Sequence, residues 1–206
     1  MIFSSRVKTK LPRPDTTYIH CTTLNDAEIQ MIVGTVSLAS PVEMMMGHGM
    51  PPIQKFLDRG LRPSLSVDVE TNVPGDMFNQ MRSVLTLQQA LATAADRTPV
   101  SMRDVLEYAT VEGARANGLD GKVGTLSPGK QADVILLRTD RLNVTPLNDP
   151  APAVVVGMDT GNVDTVLIGG RVIKRKGELL HVDWVAVMRA ATDSRDFVVE
   201  FRLPRI

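Results

Sequence analysis

The stretch PSLSVDVETNVPGDMF, Pro63 to Phe78, decides the fold, because an alternating run that reads as a strand ends in acids rather than in a turn. Leu65 and Val67 give the alternation, Asp68 and Glu70 follow on either side of Val69, and Pro74-Gly75 closes the segment as a turn. The strand is expected over RPSLSVDV, ending at Asp68-Val69. Working upstream, PPIQKFLDRG (51–60) reads as a helix stopped by Gly60, and GTVSLAS (34–40) as a strand. LNDAEIQMIV (24–33) reads as a helix capped by Asn25 with Glu28 three residues on, and TTYIHC (16–21) as a strand. Three strands alternating with helices imply right-handed crossovers and a parallel sheet.

Downstream, DMFNQMRSVLTLQQALATAA (76–95) has helical spacing with Asp76 as its cap, and SMRDVLEYATVEGARANGL (101–119) carries a further helical pattern from Ser101 to Gly118. The character then changes. KVGTLSPGKQADVILL (122–137) and VDTVLIGGRVIKRKGELL (163–180) are β-branched runs broken by Pro128-Gly129, Gly169-Gly170 and Gly177, the pattern of a small β domain. RLNVTPLNDPAPAVVVGMDTGN (141–162), rich in Pro and Asn, reads as loops. Residues 1–14 read as a loose basic arm, 15–120 as an α/β unit, 121–183 as the β segment and 184–206 as a helical tail.

Composition narrows the function classes. The 23 basic and 23 acidic side chains cancel and aromatics are only 4% of 206 residues, so neither a basic stripe nor a set of stacking platforms for nucleic acid is present. A single cysteine, Cys21, excludes an internal disulfide, and no apolar run reaches ~18 residues, which argues for a reduced, cytoplasmic setting away from membranes.

Five stretches together resemble one family: IHCTTLNDAE (19–28), GTVSLASPVEMMMGHG (34–49), PSLSVDVETNVPGDMFNQMR (63–82), ATVEGARANGLDGKVGTLSPGKQADVILL (109–137) and NVDTVLIGGRVIKRKGEL (162–179). They look like the carboxy-terminal half of the metal-dependent amidohydrolase superfamily, in the branch of cytosine, guanine, adenosylhomocysteine and triazine aminohydrolases. The resemblance implies the last three strands of a TIM barrel followed by part of a flanking β-sandwich. It also implies hydrolysis of C–N bonds, with zinc or iron as cofactor and deamination of a small heterocyclic substrate as the reaction.

By the same resemblance Asp68 matches the last-strand aspartate that binds metal and shuttles protons, a role that suits a carboxylate beside a metal-bound water. His20 matches the sixth-strand histidine that faces the substrate. His48 and Glu43, on the connection after the middle strand, and Glu70 are candidate substrate contacts. Each has a plainer alternative: a strand-end cap for Asp68, a structural histidine for His20, surface positions for His48 and Glu70. Glu43 stands where the branch commonly has Asn. Met44, Met45, Met46 and Met50 could line an adaptable pocket mouth or fill core, Cys21 is expected in the core, and Asp133 is expected to fix a turn.

The chain departs from the family in what it lacks. His20, His48 and His181 are its three histidines, no two of them two residues apart, so a His-x-His pair is missing. The expectation is a truncated enzyme, inactive without an amino-terminal half, that self-associates or pairs with that half. The alternative is a catalytically dead remnant serving as an interaction or regulatory module.

Overall fold

The computed structural model describes residues 13–202, so the basic arm over 1–14 lies outside the described residues except for Arg13 and Pro14. Three parallel strands open the fold: β1 (Thr17–Ile19), β2 (Thr35–Leu38) and β3 (Pro63–Leu65), in the order β1-β2-β3. Tyr18 pairs with Val36, and Ser37 with Ser64. Between β1 and β2 runs α1 (Asp26–Gln30), and between β2 and β3 run α2 (Ser40–Met45) and α3 (Ile53–Leu57). Asn25 caps α1 in the expected reciprocal box with Glu28, each side chain serving the other's backbone N–H.

α4 (Met77–Ala94) starts where Asp76 accepts from the Asn79 N–H at 2.7 Å. Its apolar stripe of Phe78, Met81, Val84 and Leu85 packs with Val36, Leu38, Ile53 and Phe56 into one core. Burying side chains of this size stabilises by about 1.5–3 kcal/mol apiece. A glycine is required before β2: a Cβ at Gly34 would overlap the Thr16 carbonyl oxygen that the Thr35 N–H bonds.

The second region is antiparallel: β4 (Val134–Leu137), β5 (Val163–Ile168), β6 (Arg171–Arg175) and β7 (Glu178–Leu179), each hydrogen-bonded to the next. Asp133 fixes a turn, accepting from the Gly169 N–H at 2.6 Å. The fold is thus α/β, with a parallel and an antiparallel sheet.

Four expectations need correction. The helical pattern from Ser101 to Gly118 is two helices, α5 (Met102–Tyr108) and α6 (Val111–Ala116), separated at Ala109-Thr110, where Thr110 leaves helical geometry with φ −128° and ψ −87°. The segment 141–162 is not plain loop: it forms α7 (Pro150–Pro152), a π-helical turn (Ala153–Gly157) and a 3-10 turn (Thr160–Asn162). Its Val144, Val155 and Met158 enter the main core, a burial that the Pro- and Asn-rich composition concealed. Met44, Met45, Met46 and Met50 are exposed and do not fill core, the first two lying on α2. Finally, β1 and β3 stop at Ile19 and Leu65, short of Cys21 and Asp68, because β2, their shared neighbour, leaves the sheet after Leu38; the chain then turns left-handed at His20, Cys21 and Asp68. The tail is α8 (Trp184–Arg202).

Candidate active site

The ends of the three parallel strands gather the chemistry. β2 runs into α2 at Ser40, leaving β1 and β3 to continue without a neighbour between them: His20 and Ser66 make the last ladder bonds, to the Ser37 and Leu38 carbonyls. Beyond those bonds the backbone turns left-handed, with φ +64° at His20, +58° at Cys21 and +63° at Asp68. Non-glycine residues rarely adopt this conformation, though His and Asp tolerate it better than most, and each such residue costs of order 1–2 kcal/mol. Backbone strain of this kind clusters at functional sites.

The turns aim His20 and Asp68 at each other. Two strand spacings separate β1 from β3 by roughly 10 Å, yet His20 Nε2 comes within 3.9 Å of Asp68 Oδ2 across the end of β2. Both side chains are about one-third exposed, open enough to meet a solute. On its other side the ring meets Glu43, whose Oε1 is 3.0 Å from His20 Nδ1. The same Oε1 accepts the Ala39 backbone N–H at 2.9 Å, which serves the start of α2 in place of a side-chain cap.

Glu43 is fully buried, and its second oxygen, Oε2, meets no hydrogen-bonding partner among the described residues. Burial raises its pKa above the ordinary carboxylate value, against the opposing pull of the Ala39 N–H and His20. Burial, and after it the charge of Glu43, pushes the neighbouring Cys21 thiol up to about 11, so Cys21 stays a protonated core residue at neutral pH. His48 is exposed, its ring edge-on to that of His20 with centroids 5.9 Å apart.

The structure therefore brings together His20, Glu43, His48 and Asp68. Glu70 stands apart from them: it is exposed, with its carboxylate folded against Gly75. A hollow of about 240 Å³, lined by residues 18–24, borders His20, smaller than a usual small-molecule pocket. Larger hollows, one of about 510 Å³ beside Val144 and Pro152, are lined by neither His20, Glu43 nor Asp68. The contact of Glu43 with His20 was not legible as such, although Ser40-Pro41-Val42-Glu43 is the Ser-x-x-Glu pattern of a helix start.

A carboxylate and an imidazole facing a shared, solvent-open space can pass protons to and from a bound molecule. Among the described residues no three His, Cys, Asp or Glu side chains are grouped to hold an ion, whereas a catalytic zinc takes three protein ligands and a water. Asp68 would give such an ion one donor.

The family model described as the amidohydrolase family matches residues 3–173. A 5'-deoxyadenosine deaminase of Methanothermobacter thermautotrophicus is 35% identical over 182 residues, which cover 86% of this chain and 42% of that protein. A 5-methylthioadenosine/S-adenosylhomocysteine deaminase of Acetivibrio thermocellus is 31% identical over 168 residues, 80% of this chain and 38% of that protein. Among solved structures, an adenosine deaminase from Xanthomonas campestris with bound zinc superposes with a TM-score of 0.81 at 26% identity, covering 88% of this chain and 42% of that one. The chain spans about two-fifths of the length of the curated relatives it matches.

Proposed function

The chain belongs to the amidohydrolase family, and from that premise we propose that it is the carboxy-terminal part of a hydrolytic deaminase acting on a purine-nucleoside-like heterocycle. In this reading the three parallel strands are an arc of a (β/α)8 barrel, residues 15–120, and the antiparallel sheet within 121–183 belongs to a flanking β domain. The observation that carries the reading is the 3.9 Å approach of His20 to Asp68 at the carboxyl ends of the strands, where barrel enzymes keep their chemistry. The substrate class rests on the names of the relatives, which deaminate 5'-deoxyadenosine and related nucleosides.

The reaction replaces a ring amine by oxygen. A water adds to the carbon bearing the amine as the ring C=N electron pair moves onto the ring nitrogen. Asp68 takes the proton the water sheds and passes it to the amine, and the pair returns to re-form C=N as ammonia leaves, giving the hydroxy tautomer of the product. His20 offers Nε2 to the oxygen that adds. His48, 5.9 Å from His20 and exposed, is a contact for the substrate beside the reacting ring. Glu70, outside the cluster, is at most a contact at the rim. Zinc or iron, if the complete enzyme uses it, needs ligands that the described residues do not supply.

A second reading, a catalytically dead module that binds a partner, is favoured by the lack of a three-donor group among the described residues. Co-expression of the chain with the amino-terminal region of the Methanothermobacter relative separates the two. Deamination of 5'-deoxyadenosine that depends on both pieces supports the first; a stable but inactive complex supports the second.

A further inference from the structure

The buried contact between Glu43 and His20 does more than fill space. Glu43 Oε1 faces two nitrogens, the Ala39 backbone at 2.9 Å and His20 Nδ1 at 3.0 Å. The Ala39 nitrogen can only donate. The oxygen it faces is therefore an acceptor, and where it carries no hydrogen of its own, in the ionised carboxylate or in an acid protonated on Oε2, an acceptor between two nitrogens requires a hydrogen on both. His20 must then carry its ring proton on Nδ1 when it is neutral, leaving a lone pair on Nε2, the atom 3.9 Å from Asp68. The carboxyl is held for this task at both ends, by its own short helix and by complete burial. Its unpartnered Oε2 is a cost that packing alone would not retain, since an apolar side chain would fill the same volume without it.

We infer that Glu43 is a positioning residue that locks His20 in its Nδ1–H tautomer and presents Nε2 as an acceptor to the space shared with Asp68. This rests on the functional reading above only for its purpose: with Nε2 free of hydrogen, His20 can accept the O–H of the water or the N–H of the leaving group, whereas the opposite tautomer would offer a donor there. An orienting partner behind an imidazole fixes its tautomer in other enzymes, and where that imidazole ligates a metal its loss costs about 10–100-fold.

The test reads the tautomer directly, without activity. In ¹⁵N-labelled chain, the two-bond proton–nitrogen correlations of the imidazoles are recorded at a pH well above that at which histidines titrate. His48→Gln and His181→Gln assign the three ring systems. The expected result is an Nδ1–H pattern for His20, kept in Glu43→Gln, because the Ala39 N–H holds the amide oxygen toward the ring, and lost in Glu43→Ala. A wild-type His20 in the Nε2–H form overturns the inference, as does an unchanged Nδ1–H pattern in a folded Glu43→Ala chain. Should Glu43→Ala fail to fold, the wild-type and Glu43→Gln patterns decide by themselves. In a complemented enzyme, Glu43→Ala should lower kcat about tenfold or more with little change in KM, and Glu43→Gln should restore it. A chain that shows the tautomer but never deaminates leaves this inference standing and removes the proposed reaction instead.

Discussion

His20 and Asp68 come from the two outer strands of the parallel sheet and still meet, Nε2 to Oδ2 at 3.9 Å, because both backbones turn left-handed where β2 gives way to α2. The shared conformation makes Asp68→Asn an unusually clean probe. Asn tolerates left-handed φ as well as Asp does, so the fold should survive with an unchanged circular dichroism spectrum. In a complemented enzyme, turnover should fall by ~100-fold or more, the usual contribution of a proton-transfer group. Retention of a tenth of the wild-type rate would remove Asp68 from the chemistry.

Glu43 makes stability depend on pH in a definite direction. Its pKa is raised by burial in the folded chain and ordinary in the unfolded one. The folded state therefore holds the proton more tightly, and stability is lost as pH rises from the unfolded value through the raised folded one. Glu43→Gln removes that loss. Thermal melts should show the variant more stable than wild type at pH 7, with the gap shrinking toward acid; a constant gap would assign the effect to packing.

Zinc should not stay. With no three-donor group among the described residues, the isolated chain loaded with zinc and dialysed is expected to retain far less than one equivalent by elemental analysis. About one tightly held ion per chain would contradict this.

Gly34 should tolerate no side chain. A Cβ there would overlap the Thr16 carbonyl oxygen at the start of the β1–β2 ladder, and relief requires moving backbone. Gly34→Ala is expected to destabilise by about 1–3 kcal/mol, as other overpacked sites do, in a denaturant titration. Gly47→Ala, with nothing within 4 Å of the added carbon but φ +70°, should lose less.

Association is the remaining expectation. Among the described residues β1 and β3 each have one edge without a strand partner, and Ile19, Met45 and Met50 are exposed nearby in sequence. Unpaired edges and apolar surface recruit partners. Light scattering should therefore find dimers or larger species, and a monodisperse mass near 22.5 kDa would show the edges to be harmless.

Local chemistry determined much of this fold without help. Asn25 with Glu28, Asp76, and Ser101 with Asp104 start their helices because a short polar side chain satisfies backbone N–H groups within the next turn, an interaction that needs no distant partner. The alternation of strands and helices, and the change to β-branched runs after 122, follow from patterns of equally short range. What spans the molecule was decided elsewhere. β1 and β3 end early because β2 leaves the sheet, Val144, Val155 and Met158 are buried because helices packed above the sheet leave them a place, and the helix after Ser101 breaks at Thr110. His20, Asp68 and Glu43 could each be picked out of the chain, but not their order in space. That Glu43 stands behind the imidazole at Nδ1, with Asp68 in front at Nε2, depends on three strand ends and one short helix meeting at a point, and only long-range packing sets such a meeting.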